Sequence, residues 1–286
     1  MSSRKSLIGA LLLVVALAGC QQKTQGEARV PVDLNQVKAD LNTLAQARVY
    51  FAHQSVGRNM LKGIAMLSEE TGVPLRVEEV KAGAPVVAGP GLFHANVGEN
   101  GAADSKISAF VSDVAAVGST APYDVALLKF CYTDIGGDSK DKSPQQLFDR
   151  YRQAMVGVQQ QQPNLKLLHT TMPLRAEPLG MKTKVKRMLG MGAFTDADNV
   201  LRGEYNALVR TKESSFFDVA RLEATRSDGS VSSFSAQGRE IEMMAPEHTY
   251  DGGHLTDPAK RYFAAAFLRT LAEAVQARST AGPSGT

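Results

Sequence analysis

Apolar residues recur along this chain at two kinds of spacing, and the two kinds alternate. Spacings of three and four residues predict amphipathic helices, at 34–44, 56–72, 107–114, from Ser143-Pro144 onward, 199–210 and 258–277. Short runs rich in Val, Leu, Phe and Tyr predict strands, at 48–52, 74–80, 123–132, 165–171 and 216–220. This alternation predicts one α/β domain, a three-layer α/β/α sandwich around a mainly parallel five-stranded sheet.

The segments between these elements set the expected boundaries. Long loops are predicted at 82–103, 175–198 and 225–250. We expect a signal peptide over 1–19, a tether over 20–33, the domain over 34–278 and a disordered Ser/Gly/Pro tail over 279–286. Because ligand sites in parallel sheets lie beyond the carboxyl ends of the strands, the long loops would shape the substrate cleft.

The start of the chain is typical of a secreted lipoprotein. A basic start precedes the apolar run Leu7–Ala18, which is too short to span a bilayer. Leu17-Ala18-Gly19-Cys20 then has the form of a lipobox, so we expect lipid on Cys20. An ordinary cleaved signal with an incidental cysteine is the alternative. Gln21 in place of an Asp favours an outer-membrane location facing the periplasm.

Charge and cysteine content narrow the choice of partners. Losing Arg4 and Lys5 with the leader lowers the formal charge of +3 by two, to +1. A near-neutral chain gives no electrostatic case for a nucleic-acid partner. Cys131 would have no disulfide partner; it lies in an apolar run and is predicted to fill the core, with a reactive thiol as the alternative. We expect no cofactor, and the oligomeric state is left open.

A carboxylate and an imidazole lie three residues apart just before the last predicted helix. Asp251-Gly252-Gly253-His254 places them on a Gly-Gly hinge that can bend one toward the other. A base oriented by a carboxylate is two thirds of a hydrolytic triad. Ser55 is the candidate nucleophile, because it lies between a predicted strand and a predicted helix, where a helix N-terminus stabilises an oxyanion. The strand order should bring Ser55 and His254 to the same sheet edge.

Each of these residues has a second interpretation. Ser55 could be a helix N-cap, and His254 a structural histidine. His248, Asp251 and His254 recur at intervals of three and could suggest a metal site, but no cysteine or third histidine is nearby, and we expect no metal. The Gly-x-Ser-x-Gly elbow of α/β-hydrolases is only half present, since His53 stands in place of the first glycine.

The combination resembles the SGNH/GDSL hydrolase superfamily, lipases and esterases with a flavodoxin-like three-layer fold. Ser55 matches the nucleophile after the first strand, and Asp251 with His254 matches the Asp-x-x-His pair before the last helix. The resemblance covers the whole predicted domain and implies an oxyanion Gly and Asn. Gly98 and Asn100 are our candidates for them, and a simple Gly/Asn turn is the alternative for that stretch.

Two blocks depart from the family pattern. His53-Gln54-Ser55 replaces the usual Gly-Asp-Ser, and Cys131-Tyr132-Thr133-Asp134 replaces the usual Gly-x-Asn-Asp. The second block therefore keeps Asp134 but lacks the oxyanion Asn. We assign His53, Gln54 and Asp134 to the substrate-binding and oxyanion region, and expect Asp134 to brace the Ser55 loop rather than to act chemically.

The resemblance implies a serine esterase, and the lipobox adds a membrane anchor in the cell envelope. His254 would take the Ser55 proton, Asp251 would orient the imidazole, and water would later release the acid from an acyl-enzyme. The substrate would be a small-molecule or polysaccharide ester. O-acyl transfer to an envelope polysaccharide by the same triad is one alternative, and a catalytically inactive glycan-binding domain is another.

Overall fold

A computed structural model describes residues 31–81, 88–117, 120–137, 139–177, 185, 188–189 and 196–280. The predicted signal peptide, Cys20, most of the tether and residues 281–286 lie outside these ranges, so the predictions made for them rest on sequence. Within the described part of the chain, no helix is both long and apolar enough to cross a membrane.

Helices and strands alternate along the described residues. The helices are α1 (Leu34–Leu44), α2 (Val56–Thr71), α3 (Ala103–Val117), α4 (Pro144–Gln161), α5 (Asp196–Lys212), α6 (Val219–Ala224) and α7 (Asp257–Thr280). The strands are β1 (Arg48–His53), β2 (Val77–Glu79), β3 (Gly91–Asn96), β4 (Val125–Leu128), β5 (Lys166–Leu167), β6 (His169–Thr170), β7 (Phe216–Phe217), β8 (Ser233–Ala236) and β9 (Arg239–Glu242). A short 3₁₀ helix follows at Pro246–His248.

Five strands form a parallel sheet in the order β2-β3-β1-β4-β5. The series of parallel strands continues beyond β5, because β6 follows after Leu168 and pairs in parallel with β7. The Leu168 N–H donates to the Ala126 carbonyl of β4 at 3.0 Å, which joins β5 and β6 into one interrupted strand. Apart from the short edge strand β2, this is the flavodoxin-like order. The predicted fold class is confirmed.

The sheet is covered by helices on both faces. Val49 and Phe51 of β1 pack in one apolar cluster with α1, α2 and α7. Tyr50 and Ala52, which alternate with them along the strand, pack in a second cluster with α3, α4 and α5. Successive side chains of a strand point to opposite faces. Because both faces are buried, β1 is apolar from Val49 to Ala52, and the domain has the three layers that the alternation predicts.

Two predicted loops contain strands. The segment 82–103 includes β3, which pairs with β1 along all six of its residues. The short apolar stretch of β3 is flanked by Gly91 and Asn96 and follows Gly89-Pro90. These flanking Gly, Pro and Asn residues are typical of turns, so the sequence pattern favours a loop. The segment 225–250 includes the antiparallel hairpin β8–β9, whose strands are mostly polar. Prediction of these two segments as loops was wrong.

Two predicted element ends also differ. The predicted strand 216–220 ends at Phe217, because Asp218 caps the start of α6 by accepting from the Arg221 N–H. The last helix continues through Thr280, so the first two residues of the predicted disordered tail are helical. The predicted central strand 123–132 keeps strand pairing only over Val125–Leu128. The residues after it form a loop at the carboxyl edge of the sheet.

Gly63 allows α2 to pack directly on α7. A Cβ at this position would lie 2.1 Å from the Lys260 carbonyl oxygen and 2.7 Å from the Ala264 Cβ. We expect Gly63→Ala to lower the free energy of unfolding by roughly 1–3 kcal/mol, because overpacking outweighs the gain in helix propensity. Gly157→Ala in α4 is the matched control, since its Cβ would meet nothing within 4 Å. Equal stability of the two variants in urea unfolding would contradict the close α2–α7 approach.

Candidate active site

Ser55 occupies the turn between β1 and α2 in a strained conformation. Its φ is 45° and its ψ is −99°, a region that L-residues adopt at a cost of about 1–3 kcal/mol. The Oγ makes no capping hydrogen bond to α2. It lies instead 2.6 Å from His254 Nε2. The hydroxyl therefore faces an imidazole rather than the helix end, which argues against the N-cap interpretation.

Asp251 holds the other side of the same imidazole. Its Oδ2 lies 2.5 Å from His254 Nδ1, and its Oδ1 accepts from the N–H groups of Gly253 at 2.9 Å and His254 at 2.7 Å. Burial raises the pKa of Asp251, but the hydrogen bonds and the imidazole lower it by more, to about 2. The ionised carboxylate favours a proton on Nδ1, which leaves Nε2 free to accept from Ser55.

Each position of the Gly-Gly hinge requires glycine for a different structural reason. Gly252 has a φ of 89°, which favours glycine. At Gly253 a Cβ would lie 2.8 Å from a ring carbon of Tyr132. The loop is further fixed by the Leu255 N–H, which donates to Asn59 Oδ1 in the first turn of α2 at 3.0 Å. This bond couples the loop that carries His254 to the helix that begins after Ser55.

His53 and Gln54 brace the Ser55 turn from below. The His53 ring is fully buried, lies 3.2 Å from His94 Nδ1 through its Nε2, and fills the space that a Cβ at Gly57 would need. Burial, with a further contribution from His94, lowers the pKa of His53 to about 2, so the ring is neutral. Gln54 Nε2 donates to the carbonyls of Val97 and Gly98. These contacts hold the turn in place, and the assignment of both residues to the substrate-binding and oxyanion region stays a prediction.

The candidate oxyanion residues lie in the loop after β3. Gly98 has a φ of 58°, and a Cβ there would meet Ser105 Oγ at 2.5 Å. Among the described residues, the N–H groups of Ser55 and Gly98 have no protein acceptor. Asn100 Oδ1 accepts from Lys106 Nζ at 3.1 Å, which leaves its Nδ2 as a donor, but no hydrogen bond joins Asn100 to Ser55 or His254 in the described part of the chain.

Asp134 joins two loops at the edge of the sheet. It is fully buried and pairs with the equally buried Lys106 at 2.7 Å. It also accepts from the N–H of Cys131 at 2.7 Å and of Gly101 at 3.0 Å. Asp134 was expected to brace the Ser55 loop; among the described residues its hydrogen bonds join the loops after β3 and β4 instead. A buried charge pair with satisfied hydrogen bonds keeps both loops in one arrangement.

The remaining sequence candidates lie apart from this chain of hydrogen bonds. His248 is buried and its Nε2 lies 2.7 Å from the Thr225 carbonyl oxygen, so it does not share a site with His254. Cys131 is a buried free cysteine, as core filler would be. In the ranges that the structure describes, no three His, Cys, Asp or Glu side chains are grouped as a metal site would require.

Sequence reasoning missed a row of residues beside His254. Tyr132 contacts the His254 imidazole edge-on, with a centroid distance of 6.3 Å. The exposed Tyr250 stacks on the same imidazole, with a centroid distance of 6.2 Å. Arg175 lies over Tyr132, with its Cζ 4.7 Å from the ring centroid. Only the long loop around Arg175 pointed to this region, because the position of a single arginine in a loop carries no sequence pattern.

The chain before Arg175 is clamped by side chains of α5 and α6. Asn206 accepts from the Met172 N–H at 2.6 Å and donates to the Met172 carbonyl at 3.0 Å. Asn199, two turns earlier in α5, makes the same pair of bonds to Arg175, at 3.1 and 2.8 Å. Between them, the Leu174 N–H donates to the buried carboxyl of Glu223. This extended segment after β6 is thus held residue by residue.

Comparison with known proteins gives similarity of fold only. No protein-family model and no curated protein matches this chain. A candidate acylhydrolase from Bacteroides fragilis has a TM-score of 0.47 at 15% identity, covering 91% of this chain and 97% of its own. A GDSL-like lipase from Bacteroides thetaiotaomicron has a TM-score of 0.44 at 13% identity, covering 87% and 98%. A candidate platelet activating factor from Streptococcus pneumonia has a TM-score of 0.41 at 13% identity, covering 82% and 92%.

We expect Asp251→Asn to change the proton position on His254. Without the carboxylate, Nδ1–H loses its charged acceptor, and the proton redistributes to Nε2. Long-range ¹⁵N–¹H NMR at neutral pH measures this shift directly, since Asp251 is ionised at any pH above about 2. Asp257→Asn, which removes an exposed carboxylate bound to Lys260, is the control. An unchanged tautomer in Asp251→Asn would contradict the orienting role.

Proposed function

We propose that this domain is a serine hydrolase that cleaves carboxylic esters through an acyl-enzyme. One observation carries the proposal: Ser55, His254 and Asp251 form a continuous chain of hydrogen bonds of 2.6 and 2.5 Å. In this chain a weak nucleophile lies against a base, and the base lies against an ionised carboxylate. The strained backbone at Ser55 points in the same direction, because strain of this kind clusters at reactive residues.

The proposed reaction has two halves. His254 Nε2 takes the hydroxyl proton as Ser55 Oγ attacks the ester carbonyl, and the imidazolium then protonates the leaving alcohol as the bond to it breaks. Water next enters, gives its proton to Nε2 and attacks the acyl-serine. The tetrahedral intermediate collapses, the proton returns to Ser55 Oγ, and the carboxylic acid is released.

Oxyanion stabilisation is proposed to come from the loop after β3 and from the start of α2. The Ser55 N–H lies at the N-terminus of α2, a helix of 16 residues, where the helix dipole favours negative charge. The Gly98 N–H and the Asn100 amide would complete the site, in place of the Asn that Thr133 replaces. Loss of one such donor typically lowers the rate by ~10²–10³-fold.

A cell-envelope location, with lipid on Cys20 holding the domain at a membrane, is part of the proposal. Three residues separate the end of α1 from the start of β1, so α1 runs antiparallel to β1. Its first residue, Leu34, therefore lies toward the carboxyl edge of the sheet, the edge at which Ser55 is found. A tether that joins there would keep the site on the side of the domain nearest the bilayer, where envelope lipid or polysaccharide esters would be the substrates.

Replacement of Ser55 tests the hydrolase. We expect Ser55→Ala to abolish fluorophosphonate labelling and to lower turnover of short-chain aryl esters by at least ~10³-fold, because within the described ranges no other hydroxyl or thiol is hydrogen-bonded to His254. Ser108→Ala, at an exposed position of α3, is the matched control and should behave as the parent. Absence of Ser55-dependent labelling and turnover would contradict the hydrolase proposal. An added sugar acceptor in the same assay separates hydrolysis from transfer.

Replacement of Cys20 tests the anchor. In bacterial cells that make the full chain, we expect Cys20→Ser to lose metabolic labelling by an alkyne fatty acid and to leave the membrane fraction, because the thiol is the attachment point. Cys131→Ser should keep both properties, since that cysteine is buried in the fold. Labelling that persists in Cys20→Ser would contradict lipid attachment there.

A further inference from the structure

Arg175 lies beside the candidate triad, next to Tyr132. Among the described residues no carboxylate forms an ion pair with it, and its buried Nε has no hydrogen-bond partner. The neighbouring Arg202, by contrast, donates to Asn199 and to the Tyr132 carbonyl, and Asp198 lies 3.7 Å away. A guanidinium is charged at any physiological pH, so an unmet donor in this position is costly unless a ligand supplies the acceptor.

Nearby carboxyl groups do not neutralise Arg175. Asp251 is bound to His254, and Asp198 accepts from the Gly137 N–H as well as facing Arg202. The carboxyl of Glu223 is buried, and burial raises its pKa to about 8 against the opposing hydrogen bond from Leu174. Glu223 is thus protonated at neutral pH. Within the described ranges, none of these three carboxyl groups is paired with Arg175.

The Tyr132 ring lies between Arg175 and the His254 imidazole. Its Cζ is 4.7 Å from the centre of the Tyr132 ring, and that ring in turn contacts the His254 imidazole. A methyl group on Gly252 would lie 3.5 Å from Arg175 Nη2, so the guanidinium reaches the loop that carries the triad. The Ala176 N–H, which donates to the Gly252 carbonyl at 2.9 Å, fixes the two segments together.

The backbone of Arg175 is held before any ligand arrives. Both its N–H and its carbonyl are bound by the side chain of Asn199, which is itself buried. Tyr132 lies against the guanidinium, and Arg175 as a whole is only partly buried. A planar fork with fixed orientation matches a carboxylate bidentately, and pre-organisation reduces the entropy lost on binding.

We propose that Arg175 is a specificity-determining residue that binds a carboxylate on the substrate. The preferred ester then carries a negative charge a few bonds from the carbonyl that Ser55 attacks. This inference rests on the proposed hydrolase function, and it names the substrate class: anionic esters, with the carboxylate on either the alcohol or the acyl side. Arg175 takes no part in the proton transfers.

Two matched ester pairs test the proposal. In the first pair, 4-acetoxybenzoate and its methyl ester, the charge is on the alcohol side. In the second, the 4-methylumbelliferyl esters of glutarate and of pentanoate, it is on the acyl side. We expect the wild type to favour the anionic member of one pair, in kcat/KM, by about 10- to 100-fold more than Arg175→Gln does. Arg175→Lys, which keeps charge without the fork, should lie between them. Because each variant is judged by a ratio of substrates, a general loss of activity cancels.

Arg58→Gln is the control for a general field effect. Arg58 lies in the first turn of α2, exposed, and acts on the pKa of His53 and His94 through its charge. The Arg58→Gln substitution also removes one positive charge near Ser55, and it should leave the ratio of kcat/KM for the anionic and neutral esters unchanged. Three outcomes would overturn the inference: the wild type shows no preference for the anionic ester, Arg175→Gln keeps that preference, or Arg58→Gln loses it to the same extent. Ser55-dependent turnover of the neutral esters would still support the hydrolase proposal.

Binding to Ser55→Ala keeps the test independent of turnover. Calorimetric titration with both ester pairs should show tighter binding of the anionic member, and the double variant Ser55→Ala/Arg175→Gln should lose the difference. If no ester is turned over by the wild type but this difference is present, the hydrolase proposal fails and the anion site stands. If the difference is absent, the anion site is wrong whatever the turnover shows.

Discussion

The backbone of Ser55 is the constraint on which the candidate site depends. A positive φ at a serine is held only where the flanking elements fix both ends of the turn. Here β1 is hydrogen-bonded on both sides, by β3 and by β4, and α2 packs closely on α7. Gly57 leaves room for the His53 ring beneath the turn. The energy of the surrounding packing thus maintains a conformation that turns the hydroxyl away from its own helix.

Much of the fold and the central site residues follow from local pattern. The apolar runs predict β1 and β4, and the apolar stripe of α2 predicts its length, because both are consequences of burial. Ser55 and His254 could be placed at one edge since parallel strands share the direction of their carboxyl ends. The local pairing of Asp251 with His254 needed no tertiary information beyond the hinge between them.

The rest depends on contacts between distant residues. β3 is a strand because β1 and β2 flank it, not because its sequence alternates. Lys106 lies among the buried residues of α3. Its charge is compensated by Asp134, which lies 28 residues away in the sequence. His53 stands where the Gly-Asp-Ser pattern has a glycine, and its burial beneath the turn depends on the contact with His94 and on the space that Gly57 leaves.

The Ser55–His254 hydrogen bond also has a consequence for how the protein matures. It joins residues 199 positions apart, and the His254 loop is fixed only when α7 packs on α2. During synthesis Ser55 is made well before His254, so the hydrogen bond between them cannot form until α7 has also been made and has packed on α2. Formation of this hydrogen bond would therefore report that α7 has packed, and a chain cut short before α7 would lack it.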